Sequence, residues 1–255
     1  MRCNTLRMAV LDRSTSRRNG ADRFDTPLYT VAEAARYLDV PPSTLATWAH
    51  GYVRRPPGRA EVHGAPILTA VETSSAGGAT IPFVGLAEGL VLAGIRKAGV
   101  PMQRIRPALD RLRSELGIEH VLASRRLYTD GAEVLYDFAE RQGDTPEGLT
   151  ARQLVVVRHG QHVFAEAIDE YLQLVEFDAD DYARLIRLPG YATAQVVADP
   201  RYGFGQPIFV HGGARVEDVL GTFQAGVPLK AVAAEYGVPE SELEDALRVA
   251  SRLPG

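Results

Sequence analysis

The stretch from Thr30 to Tyr52, TVAEAARYLDVPPSTLATWAHGY, constrains the fold more than any other part of the chain. Val31, Ala34, Ala35 and Leu38 recur at three- and four-residue spacing, which makes one face of a helix apolar. Thr30 followed by Glu33 is a capping box at its start. Asp39-Val40-Pro41-Pro42-Ser43 breaks the pattern. Ser43 offers a cap to a second helix, whose inner face is Leu45 and Trp48 or Ala49, and Gly51 ends it. Two short helices about a tight turn, with a small alanine at the crossing, predict a helix-turn-helix. The second helix would present its N-terminal residues to the major groove. Its outward side chains are Ser43, Thr44, Thr47 and His50, each able to hydrogen-bond phosphates or base edges. Arg54, Arg55 and Arg59 follow in RRPPGRA, where a wing would sit. A plain helical hairpin with a polar outer face shares the periodicity. Turn, caps and basic wing together favour DNA.

The charge distribution agrees. Residues 1–60 carry ten arginines against five acids, whereas residues 217–255 carry three basic residues against seven acids. A basic front and an acidic back point to nucleic acid at one end and another partner at the other. The single cysteine, Cys3, excludes a disulfide framework and a Cys-rich zinc site. No His/Cys/carboxylate pattern implies a metal or a cofactor. No apolar run is long enough for a membrane span, and Arg13, Arg17 and Arg18 come too early for a signal peptide. The expected location is the cytoplasm.

The chain divides into four parts. Residues 1–25, rich in Arg, Ser and Asp, predict a mobile tail. Residues 26–120 hold the helix-turn-helix, a short strand at Pro66-Ile67-Leu68, a helix over Phe83–Lys97 ended by Gly99, and an Arg-rich helix from Pro101 to Gly117 that Pro107 kinks or restarts. Arg104, Arg106, Arg111 and Arg113 on it either touch DNA backbone or form a solvated face. Residues 121–198 predict a small, mostly antiparallel sheet. Its parts are a hairpin turning at Asp130-Gly131, a strand at Leu154–Val157, and strand-like runs in VFAEAIDEYLQLVEF, YARLIRL and TAQVV. Residues 199–255 predict an extended run over Gly205–Val210, a Gly212-Gly213 turn and three helices near 215–225, 228–236 and 239–251. The fold class is therefore α+β: a winged helix-turn-helix, a central β region and a C-terminal three-helix module.

The last two helices repeat the first motif. Ala35, Val40, Pro41, Ser43 and Leu45 correspond to Ala233, Val238, Pro239, Ser241 and Leu243 at a fixed offset of 198 residues. Where the first unit has Pro42, Thr44 and Thr47, the second has Glu240, Glu242 and Asp245. Acids on an outer face there would repel phosphate, so this unit is assigned to protein contact or packing.

Two resemblances carry these readings further. The run Val31, Glu33, Ala34, Ala35, Leu38, Val40, Thr44, Leu45 and Trp48 resembles the N-terminal winged helix of MerR-like regulators. The C-terminal part resembles a small antitoxin domain encoded beside PIN-like toxins. Gly205, Pro207, Gly212, Arg215, Val219-Leu220, Gly226, Tyr236 and Leu247 match its pattern, while Gly213-Ala214 replaces the usual threonine. The combination resembles the VapB-type antitoxins. The resemblance implies operator DNA and a cognate PIN-like ribonuclease toxin as partners, autorepression as a homodimer, and no catalysis. Two other readings compete. One is a stand-alone MerR-like regulator with a ligand pocket ringed by Tyr128, Tyr136, Phe164 and Tyr171. The other is a histidine-phosphatase-like enzyme built on Val157-Arg158-His159-Gly160-Gln161, with His162 and His211 downstream.

Overall fold

A computed structural model of the 255-residue chain describes residues 22–55, 58, 61–72, 77–100, 102–158 and 161–251. The helices are α1 (Asp22–Asp25), α2 (Val31–Tyr37), α3 (Pro42–His50), α4 (Phe83–Lys97), α5 (Met102–Leu116), α6 (Arg125–Gln142), α7 (Pro146–Leu154), α8 (Glu166–Leu172), α9 (Val216–Gln224), α10 (Leu229–Tyr236) and α11 (Glu240–Ser251). The strands are β1 (Tyr52–Arg54), β2 (Val62–Gly64), β3 (Val155–Arg158), β4 (Gln161–Phe164), β5 (Val175–Phe177), β6 (Ala183–Arg187), β7 (Val196–Ala198) and β8 (Ile208–Phe209). Two antiparallel hairpins, β1–β2 and β3–β4, accompany a four-stranded antiparallel sheet in the order β5-β6-β7-β8. Among the described residues no helix is long and apolar enough to cross a membrane.

Helix α4 is the axis of the core. Every residue from Phe83 to Ile95 is buried, so the helix is apolar all round and covered all round. Its neighbours approach closely because two of its residues lack a side chain. A Cβ on Gly89 would lie 2.7 Å from Leu38 Cδ1, and one on Gly94 would lie 2.8 Å from the Tyr171 Cβ. The helix-turn-helix thus packs near the middle of α4, and α8 packs near its end. One charge is buried in α4. Glu88 accepts the Thr69 N–H at 2.6 Å and faces His120 Nδ1 at 3.4 Å, and that nitrogen also lies 3.0 Å from the Thr69 hydroxyl. The hydrogen bond to Glu88 holds the His120 imidazole above its ordinary pKa, despite partial burial.

The central region departs most from the expectation. The anticipated hairpin at Asp130-Gly131 is the middle of α6, an unbroken 18-residue helix. Leu127, Gly131, Leu135 and Ala139 recur every fourth residue and are all buried. That stripe, with Ser124 capping the start, outweighs the local turn signal of Asp-Gly. Gly131 is needed for packing rather than turning, since a Cβ there would meet the Phe164 ring at 3.2 Å. The supposed polar loop after it is α7, capped by Thr145 with Pro146 in its first turn. VFAEAIDEYLQLVEF is the end of β4, then α8, then β5. Residues 121–198 are therefore helix and sheet together, not a mostly β region. Strands do form at Val155–Arg158, Ala183–Arg187 and Val196–Ala198.

Smaller corrections follow the same logic. Pro66-Ile67-Leu68 is no strand, because the Ile67 and Leu68 N–H groups turn in to the Trp48 carbonyl at 2.8 and 3.2 Å. Helix α5 runs on through Pro107 without a restart. The first 21 residues of the expected tail lie outside the described residues, but Asp22–Asp25 is a helical turn fixed to the core. Its Arg23 is buried, donates to the Ala183 carbonyl at 3.2 Å and pairs with Asp180, while Phe24 packs on His120 and Tyr182. The boundary drawn at 198/199 falls between the paired strands β7 and β8, so one sheet spans it. Beyond β7, the Tyr29 hydroxyl donates to the Gly205 carbonyl at 2.5 Å, and Gln206 Nε2 donates to the Leu28 carbonyl at 3.2 Å.

Candidate nucleic-acid interface

The helix-turn-helix is built as its sequence dictates. Thr30 and Glu33 make a reciprocal capping box at α2, with bonds of 3.2 and 2.8 Å. Ala34, Ala35 and Leu38 face Leu45, Trp48 and Ala49 in the core. Asp39, in the left-handed region at φ 54°, makes the sharp turn. The start of α3 differs from the expectation. Pro41 is the N-cap and Pro42 the first helical residue, so Ser43 lies inside the first turn and caps nothing. Pre-set proline geometry replaces the side-chain cap. Gly51 ends the helix at φ 73°, and β1 and β2 then form a hairpin in the register Tyr52↔Gly64, Val53↔His63, Arg54↔Val62.

The four polar residues chosen from sequence line the outer side of α3. Ser43 and His50 are exposed, and Thr44 and Thr47 are half-buried. Two of the hydroxyls already have partners: Thr47 Oγ1 donates to the Ser43 carbonyl at 2.8 Å, and Thr44 Oγ1 accepts from Arg96 Nη1 at 3.0 Å. Arg54 stands in β1 opposite Val62. Arg55 is 81% exposed and pairs with Glu61, which also meets His63 at 3.0 Å. Arg59 lies outside the described residues. Val53 and Val62 are exposed on the hairpin.

Sequence reading missed what the arginines of α4 and α5 do. Arg106 donates to the Ala65 carbonyl and lies over the Tyr52 ring, with its Cζ 5.9 Å from the centroid; Arg113 donates to the Ile67 carbonyl at 3.3 Å. These side chains tie the segment leaving the hairpin to α5. Arg111 is paired with Glu115 one turn on. Arg96 ends α4 beside Thr44, a contact across 52 residues of sequence that no local pattern announces.

The C-terminal repeat has the same skeleton and a different chemistry. Glu242 and Asp245 do not form an outer face; they are 5% and 2% exposed. Asp245 accepts the Thr193 and Ala194 N–H groups at 2.6 and 2.9 Å, and Glu242 meets His211 Nδ1 at 2.7 Å and accepts the Gln195 N–H at 3.4 Å. Burial raises the Asp245 carboxyl, but the N–H groups of Ala194, Thr193 and Ala192, together with Arg248, overcome it and hold the carboxyl below its ordinary range. The acids serve packing, as hydrogen-bond sockets for the 193–195 loop.

The competing sites do not assemble. Tyr128 is exposed, Tyr136 stacks on His162 at 3.6 Å, and Tyr171 packs against α4. Phe164 borders a cavity of about 10 Å³ with Val91, Leu112 and Ile168, too small for a ligand. In the phosphatase-like run, His159 and Gly160 lie outside the described residues. His162 is bound to Glu133 and His211 to Glu242, on different helices.

Comparison with known proteins fits this geometry. Residues 27–109 match a family described as "Putative DNA-binding HTH domain", and residues 196–250 match a protein family of unknown function, DUF433. The chain is 55% identical over 226 residues to "Putative antitoxin VapB45" of Mycobacterium tuberculosis, covering 88% of this chain and 94% of that protein. It also resembles the X-ray crystal structure of Rv2018 from Mycobacterium tuberculosis at 52% identity, with a TM-score of 0.77 over 88% of this chain and 99% of that one. With a DNA-binding helix-turn-helix at its front and this identity over nearly its whole length, the chain belongs to the VapB-type antitoxins.

Proposed function

We propose that the chain is the DNA-binding antitoxin of a two-protein pair, which neutralises a PIN-domain ribonuclease and represses its own operon in the cytoplasm. The observation that carries the reading is α3: a proline-started helix without a side-chain cap, whose polar side faces outward beside a two-stranded hairpin. In this reading Ser43, Thr44, Thr47 and His50 face the major groove. The hairpin acts as a MerR-like wing, with Arg54, Arg55 and Arg59 on phosphates. One such helix reads few base pairs, so a homodimer would place two on paired half-sites. The toxin would sit on the C-terminal module. Neutralising a carboxylate-based nuclease then means covering its acidic groove or displacing a metal ligand.

Co-expression of the tagged chain with the product of its neighbouring gene tests this directly. The expected result is a stable complex and relief of the neighbour's toxicity. A harmless neighbour, or one that does not co-purify, defeats the toxin reading. Retarded migration of the upstream DNA by the chain tests the operator half separately.

A further inference from the structure

We propose that Arg96, outside the helix-turn-helix itself, belongs to the DNA interface: it fixes the Thr44 hydroxyl as an outward-pointing donor and lays its own charge on the phosphate beside the start of α3. The inference rests on the DNA-binding reading above and deepens it.

Four observations converge on this residue. Arg96 is the first exposed position of α4 after thirteen consecutive buried ones, so its backbone continues a helix packed on every side. The end of that helix is held from the other side as well. Tyr171 packs on Gly94, Lys97 Nζ lies 5.4 Å from the Tyr171 ring centroid, and the same Nζ lies 3.6 Å from Glu170. From this platform the guanidinium reaches Thr44 Oγ1 at 3.0 Å. Thr44 stands in the first turn of α3, a nine-residue helix with no acid in that turn.

The chemistry follows from the donor count. An arginine has only donors, so in this contact the threonine oxygen must be the acceptor. The one hydroxyl proton of Thr44 is thereby left to donate elsewhere, to a phosphate oxygen or to an acceptor on a base edge. The guanidinium fork carries further N–H groups, which suit a phosphate in two-point contact. A positive charge at a helix N-terminus adds to the positive end of the helix dipole, an arrangement that favours an anion over any protein acid. Arg96 would therefore contribute to affinity for any duplex through its charge, and to sequence preference through Thr44.

The test uses the full chain, a duplex from directly upstream of its coding sequence and a random duplex of equal length, followed by fluorescence anisotropy across a salt series. Arg96→Gln should lower affinity for both duplexes about ten-fold and flatten the salt dependence by about 0.9 in log–log slope, one phosphate's worth. Arg96→Lys should restore the slope but not the preference for the upstream duplex, because a flexible ammonium does not fix the hydroxyl. Adding Thr44→Val to Arg96→Gln should cost no further preference. Arg96 is exposed, so the two single Arg96 variants should melt as the parent does. A parent that binds while Arg96→Gln keeps the full slope overturns this inference and leaves the DNA reading standing. Lysine restoring both slope and preference overturns the part played by Thr44. A parent with no salt-dependent binding to either duplex overturns both.

Discussion

The two helix-turn-helix units superpose in sequence and diverge in what their second helices do. In α3 the positions after the turn hold Thr44 and Thr47, half-buried and facing outward. In α11 the equivalent Glu242 and Asp245 are buried beneath the 193–195 loop and hold its N–H groups. One skeleton thus presents hydroxyl side chains on its outer side at one end and serves as a socket at the other. Skeleton alone does not assign function. What decides it is whether a neighbouring segment covers the outer face of the second helix. Around α3, the hairpin and α5 arginines hold the following segment to the side. Around α11, the loop leaving β6 is drawn across the helix.

The comparison breaks first at Asp245. Asp245→Ala orphans the buried N–H of Ala194 and the part-buried N–H of Thr193; a buried unsatisfied N–H costs about 1–3 kcal/mol, so urea denaturation should show a loss of about 2–3 kcal/mol. The matching change, Thr47→Ala, should stay within about 0.5 kcal/mol, since Thr47 bonds only its own helix. Equal costs at the two sites would mean that the units do not differ as described.

A second prediction concerns DNA. Replacing Arg54 and Arg55 together by Ala should weaken all duplexes alike and flatten the salt slope, by about 0.9 for each phosphate no longer neutralised. Thr47→Ala should shift sequence preference, and Asp245→Asn should do neither while the chain is folded. Gel-shift titrations at two salt concentrations read all three.

The pH dependence sharpens the contrast further. The Asp245 carboxyl is held below its ordinary range. Its stabilisation is therefore complete above the unfolded value of about 3.9 and lost as pH falls through the folded one. The gap between parent and Asp245→Asn in thermal midpoint should be open at neutral pH and close in acid. The smallest effect is at His120, whose imidazole is held above its ordinary value by Glu88. That contribution is complete below about pH 6.5 and lost as pH rises through the folded value, so parent and His120→Asn should converge at alkaline pH.

Legibility in the sequence tracked how local each cause was. The capping box at Thr30, the apolar spacing of α2 and the glycine after α3 act within a few residues, and they form as read. Helix α4 runs over the residues its pattern indicates. The Asp130-Gly131 signal misled because a hairpin signal of two residues competes with a buried stripe of four turns. The buried acids of α11 read as solvent-facing because their partners lie 31 to 52 residues away. Arg96 was invisible for the same reason. Its position in the last turn of α4 was plain, but the fold alone brings it to Thr44.

The contacts of Leu28 and Tyr29 with the 205–206 turn have a practical corollary. The two family matches, 27–109 and 196–250, look like separable beads. Yet a buried phenol at the threshold of α2 is anchored to a carbonyl from the other match. Cutting the first match away from the second would leave that hydroxyl without its acceptor. The two pieces therefore meet at the start of α2, and a cut between them breaks the hydrogen bonds of Leu28 and Tyr29 with the 205–206 turn.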